Sequence, residues 1–263
     1  MSTSKKKRLA FLKTFTIVVF ILLASIDNAA SDAAKSVYWA MEISLGTTDV
    51  RLGFINSLLI WIISSSAIFW GYLGDKGNRK RLLLIGTAIW CVSLVFSPLV
   101  KKDIVWLIVE VFAGIGLGCI ASVGFSVIVD FVSPEKRGLA LSFWGLSQGA
   151  GSAMGSVIGA LYVQKANQWW IPFFTFAIIG FILLILYFFT LDPQRGGSEK
   201  ELQNVDYEYI IKKEDFKVLL KKKTNLALLF QGLTAQVVWG SITWLPYVFM
   251  FAWGISHDGG GFS

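Results

Sequence analysis

The sequence predicts an all-α, polytopic membrane protein, and three observations lead there. Of 263 residues, 55% are hydrophobic and only 16% are charged, where an average soluble domain is about 45–50% apolar and roughly 25% charged. The apolar surplus is gathered into long blocks, and the charges sit between them. Each block runs about 20 residues, the length an α-helix needs to cross a hydrocarbon core roughly 30 Å thick. Such blocks are helical because lipid offers no partner to free backbone N–H and C=O groups.

Seven spans follow in order. The first covers residues 14–34 and extends toward 43; the second covers 52–73, the third 82–100 and the fourth 104–131. The fifth covers 139–163, the sixth 171–191 and the seventh 226–251. The chain is thus divided into a basic N-terminus (1–13), a six-helix bundle (14–191), a polar connection (192–223) and the first helix of a second bundle (224–263). That connection opens with Asp192-Pro193-Gln194-Arg195-Gly196-Gly197, a helix stop. Its end sets Phe216, Val218, Leu219 and Leu220 among lysines, the pattern of an amphipathic helix on the inner leaflet or of a mixed-charge linker.

Net charge is +7. Nucleic-acid binding would need a solvated basic face with stacking aromatics; here Lys and Arg fall in the connections between apolar blocks. With the N-terminus cytoplasmic, 19 of the 24 Lys and Arg residues lie on the inner side, so the positive-inside rule assigns that orientation. The start, Lys5-Lys6-Lys7-Arg8 before an apolar run, also fits a signal peptide, but further spans follow it. Cys91 and Cys119 fall inside apolar blocks and read as small core residues. His257 is the single histidine, so neither a transition-metal site nor a His-based membrane enzyme is expected, and no cofactor is implied.

The sharpest motif is Gly71-Tyr72-Leu73-Gly74-Asp75-Lys76-Gly77-Asn78-Arg79-Lys80-Arg81, between the second and third spans. Gly71 permits close helix approach, Asp75 can cap a helix or meet a cation, and the basic run holds the loop in the cytoplasm. This stretch resembles the signature loop of the major facilitator superfamily, matching at Gly71, Asp75, Lys76, Arg79 and Lys80, with Asn78 where glycine is usual. Gly-Tyr-Leu-Gly-Asp followed by Asn-Arg-Lys is similar to the Spinster branch. Asp130-Phe131-Val132-Ser133-Pro134-Glu135-Lys136-Arg137-Gly138 resembles the loop after the fourth helix, and the residues around Asp192 and Asp215 are also Spinster-like. The resemblance implies a major-facilitator-type helical bundle with an incomplete second half. It also implies one cytoplasmic charge network containing Asp75 and Arg137, which closes the inner side. A major facilitator usually has twelve helices, so seven imply a truncated chain or a second polypeptide as partner.

Gly151, Gly155 and Gly159 recur every four residues and share one helix face suited to close packing. Gly145 and Gly149 also fall in this helix, and Gly114, Gly116 and Gly118 suggest tight packing of the fourth. The usual Gly-Pro pair of the family's antiporter motif is absent, with Gly151-Ser152 in its place.

Charges within the bilayer cost at least about 2.5 kcal/mol on insertion scales, so each is a functional suspect. Asp27, with Asn28 beside it, lies in the first span and Glu110 in the fourth. Asp32 can pair with Lys35 at i,i+3. By resemblance, Glu110 stands where the family usually has arginine, and Asp27 aligns with an acid implicated in proton coupling. Both are expected to face a central cavity as proton or cation sites, or else to be satisfied within the bundle. Gln148, Gln231, Gln236 and Trp239 are weaker cavity candidates. The function expected is secondary transport of a small organic solute or lipid by alternating access, as a symporter or uniporter of the plasma membrane. A non-transporting scaffold or receptor is the alternative.

Overall fold

The computed structural model describes residues 3–162, 165–192, 218–219, 221–232 and 234–235. It divides into two compact units, Met1–Tyr207 and Glu208–Ser263.

In the first unit, helix α1 (Thr3–Ser36) begins inside the basic N-terminal segment. Val37 interrupts it, and α2 (Tyr38–Leu45) continues for two turns. Gly46 ends α2 at φ 61°, ψ 41°, the left-handed conformation a residue without Cβ adopts freely. Helix α3 (Asp49–Lys76) starts at Thr48, whose hydroxyl accepts the Arg51 amide at 3.3 Å. Helix α4 (Arg79–Val95) starts at Asn78, whose Oδ1 accepts the Arg81 amide at 2.8 Å. A 3₁₀ turn, Ser97–Leu99, leads to α5 (Asp103–Phe131). A second 3₁₀ turn at Pro134–Lys136 leads to α6 (Arg137–Ala160), and α7 (Ile171–Phe188) carries Pro172 in its first turn.

In the second unit, residues 223–232 are helical. The rest of the seventh expected span, and most of the connection before it, lie outside the described residues.

Five described stretches are long and apolar enough to cross a membrane: Ala10–Ser36, Asp49–Lys76, Arg79–Leu99, Asp103–Phe131 and Ala166–Phe188. The fifth expected span corresponds to α6, which has the length but is not among these five. Glycine and serine dilute its apolar character.

The helices form an arc in the order α6, α1, α7, α4, α5, α3. Gly151, Gly155 and Gly159 of α6 meet the backbone of Ser25, Ala29 and Ala33 of α1 in turn. Both series advance by four, so the two helices run parallel in register. The Ser25 hydroxyl seals the contact by donating to the Ser147 carbonyl at 2.9 Å. At the other end of the arc, Gly114 faces Leu59 and Ile62, and Gly118 faces Ile63 and Ala67, so α3 and α5 are also parallel. The Trp70 indole donates to the Ile115 carbonyl at 2.7 Å across this joint. Lipid supplies no hydrophobic drive between helices, so close backbone approach and such hydrogen bonds hold them together. Trp106, Trp169 and Phe173 form an edge-on aromatic cluster joining α5 to α7, and the Trp169 indole donates to Ser44 Oγ at 3.1 Å.

Candidate functional site

Two groups of polar residues stand out against the apolar bundle. The first lies where α3 ends and α4 begins. Arg79 pairs with Asp130 at the end of α5, with side chains 15% and 6% exposed. The Asn78 amide donates to Asp192, and Lys80 donates to the Phe188 carbonyl at 2.8 Å and to the Thr190 carbonyl. The start of α4 is thereby tied to the ends of α5 and α7. Asn78 stands where glycine was expected, and its side chain both caps α4 and reaches Asp192. Arg137 donates to the Val129 carbonyl at 3.2 Å, bracing the last turn of α5. Lys76 donates to the Tyr72 hydroxyl and lies over its ring, 4.4 Å from the centroid.

Asp75 is exposed at the end of α3 and makes no ion pair among the described residues. Gly71 meets only Ser122, at an ordinary 4.0 Å from where a Cβ would stand, whereas Gly74 packs on Val123. Within the first unit, then, Gly74 makes the closer helix contact.

The second group lies inside the arc. Glu110 in α5 is 8% exposed. It lines a cavity with about 20 Å³ of space for water, shared with Ser31, Tyr38, Asn56 and Trp106. That is room for about one water molecule. Among the described residues no ion pair or hydrogen bond reaches the Glu110 carboxyl. Ser31 and Ala34 line the cavity from α1, and Asp27 lies one turn before Ser31 on the same helix face. Asp27 is half-buried; its Oδ1 accepts the Asn28 amide at 2.7 Å, and that amide also donates to the Ala24 carbonyl at 2.8 Å. Asp32 is engaged by Lys35.

Gln148 is half-buried in α6, and Gln231 is exposed in the second unit. Gln236 and Trp239 lie outside the described residues. Sequence reasoning missed Tyr38 and Asn56. Asn56, a lone amide in an apolar span, carried a usable signal; Tyr38 carried none. It also missed the pair of Arg51 with Asp103, to which the Thr47 hydroxyl donates at 3.3 Å, joining α3 to α5 at the end opposite Arg79.

An all-α arc of membrane-length helices, with a basic hinge after α3 and a buried acid in its interior, is the architecture of a polytopic membrane protein. The family model described as Major Facilitator Superfamily matches residues 11–263, so the chain belongs to that superfamily. Within it the chain is Spinster-like. It is 31% identical over 180 residues to protein spinster homolog 3 of Danio rerio, covering 67% of this chain and 36% of that protein. It is 26% identical over 155 residues to a sphingosine-1-phosphate transporter of Danio rerio, covering 58% of this chain and 31% of that protein. The chain spans well under half the length of these relatives. Among solved structures, a bacterial homologue of the human lysosomal transporter Spinster, inward-facing and unoccupied, matches with a TM-score of 0.69 at 19% identity. The match covers 91% of this chain and 56% of that one. A peptide transporter in complex with sulfate matches with a TM-score of 0.59 at 15% identity, covering 91% and 49%. These likenesses show the fold.

Proposed function

We propose that the chain supplies one helical bundle of a secondary active transporter that moves a small organic solute or lipid by alternating access, coupled to protons. The observation that carries this reading is Glu110: a buried carboxyl, without a basic partner, at a cavity in a superfamily bundle. A carboxyl in that position calls for a proton or cation to neutralise it. Asp27 is the second coupling site, one turn from the cavity wall, with Asn28 orienting it. Gln148, Gln231, Gln236 and Trp239 are further substrate contacts. Gly71, Asp75, Lys76, Arg79, Lys80, Asp130 and Arg137 form the gate at the cytoplasmic end, with the N-terminus inside and the protein in the plasma membrane. A lipid substrate is supported by the relative described as a sphingosine-1-phosphate transporter.

The test is uptake into proteoliposomes across a range of pH, for the chain and for Asp27→Asn and Glu110→Gln. A pH dependence that both variants leave untouched removes the coupling claim. Absence of flux with any organic solute or lipid returns the chain to the scaffold or receptor reading.

A second reading is favoured by the two ends of the arc. Phe54, Trp61 and Phe69 of α3 are 62%, 73% and 59% exposed, and Leu146 and Val157 of α6 are 69% and 64% exposed. These faces suit a further bundle, so a half-transporter that assembles with a second chain is the alternative. Cysteine crosslinking from Trp61→Cys in native membranes distinguishes it: a discrete higher-mass product supports the second chain.

A further inference from the structure

Between α4 and α5, on the outside of the arc, runs an apolar groove of about 680 Å³. One wall is Ile85, Ala88, Ile89, Val92 and Phe96; Val105, Ile108 and Phe112 face them from α5. Ser93 is the polar residue of the lining, and its hydroxyl is already spent on the Ile89 carbonyl at 2.7 Å. The groove therefore offers a polar solute no free side-chain donor, and its lining suits an apolar occupant.

Its dimensions fit one leaflet. The α4 wall from Ile85 to Phe96 rises about 16 Å at 1.5 Å per residue, half of a hydrocarbon core of roughly 30 Å. At the end nearest the α4–α5 connection the walls stop at Leu99 and Val105, and Lys101 and Lys102 lie between them, both exposed. Neither makes an ion pair among the described residues. Asp103, the adjacent acid, is occupied by Arg51 and Thr47, so it does not cancel the lysine charge. An apolar channel one leaflet deep, with two exposed lysines in the connection at its end, matches a chain with a phosphate at its head.

We propose that this groove seats an acyl chain of an anionic phospholipid from the bilayer, with the headgroup phosphate held by Lys101 and Lys102. None of its lining residues lines the Glu110 cavity, so it is a structural or modulatory lipid site and not the transport site. Lysines at the membrane surface attract the anionic headgroups of the leaflet they face by charge, and the groove adds apolar contact that bulk lipid at a convex helix surface lacks.

The test is native mass spectrometry of the full chain, released from detergent containing equimolar phosphatidylglycerol and phosphatidylcholine. The expected result is retained phosphatidylglycerol in at least about fivefold excess, the scale of one lysine's attraction. Lys101→Gln with Lys102→Gln brings the ratio close to one. Val92→Trp, which fills the groove from a half-exposed position, removes adducts of both lipids, and Ile108→Trp does so independently from the other wall. Equal retention of the two lipids by the unaltered chain overturns the proposal. So does a ratio indifferent to Lys101 and Lys102, adducts that survive both tryptophan variants, or a dimer mass in place of the lipid adduct.

Discussion

Gly155 in α6 lies against the backbone of Ala29 in α1, with room for a hydrogen and none for a methyl group. A Cβ at that position would stand 2.7 Å from the Ala29 Cα. Four residues on, a Cβ on Gly159 would stand 2.9 Å from the Ala33 carbonyl oxygen. At Gly155 the obstacle is wholly backbone, which cannot swing aside as a side chain does, and at Gly159 the Ser36 Cβ adds to it.

Gly155→Ala is therefore expected to separate α6 from α1 and to destabilise the bundle by about 1–3 kcal/mol, the usual scale of overpacking. Gly149→Ala lies in the same helix, with nothing within 4 Å of the added Cβ. It should be neutral or stabilising, because alanine is the better helix former by about 1 kcal/mol. Thermal unfolding in detergent checks both; equal shifts for the two would refute the packing argument.

The two ion pairs between helices should behave differently. Arg79 and Asp130 are largely buried, so Arg79→Ala takes the ion-pair partner from a buried carboxylate, at a cost of up to about 3–5 kcal/mol. Asp130→Asn added to Arg79→Gln should recover much of that loss. Arg51 is 55% exposed in its pair with Asp103, and Arg51→Ala should cost under about 1 kcal/mol. Urea or thermal unfolding of the three variants measures the contrast.

Glu110→Gln removes a charge and keeps the shape of the side chain. The variant should fold at least as stably as the unaltered chain, since burial of the ionised form is unfavourable. If Glu110 is a coupling site, proton-driven uptake falls while counterflow exchange, which needs no net proton movement, persists. Loss of both together would point to a structural role.

Orientation is checked by single cysteines in a chain whose Cys91 and Cys119, both buried, are replaced by alanine. Lys76→Cys should react with a membrane-impermeant maleimide only after the cell is opened. Lys101→Cys should react from outside intact cells.

Much of this architecture is legible in the sequence because the bilayer imposes a length. The second, third, fourth and sixth expected spans each coincide with a helix that meets the membrane criterion. The starts of α3 and α4 depend on Thr48 and Asn78, polar residues that lie before apolar runs. What the sequence cannot supply is partnership at a distance. Arg79 and Asp130 are 51 positions apart; a charge count places both at the inner side without joining them. The period of four puts Gly151, Gly155 and Gly159 on one face, but their counterparts Ser25, Ala29 and Ala33 carry no comparable mark. The Glu110 cavity draws on α1, α2, α3, α4, α5 and α7, so Tyr38 enters it only through the fold.

Helix α6 has a consequence for how the protein is made. Its serines and glycines leave it too polar to enter lipid readily on its own, yet the groove it needs is already present on α1, synthesised more than a hundred positions earlier. The close packing of α6 on α1 is thus expected to assist membrane entry of α6. The nascent first helix has to remain laterally available near the insertion machinery until its glycine-faced companion emerges, and a mutation in Ser25 or Ala29 can surface as a biogenesis defect in a segment it does not belong to.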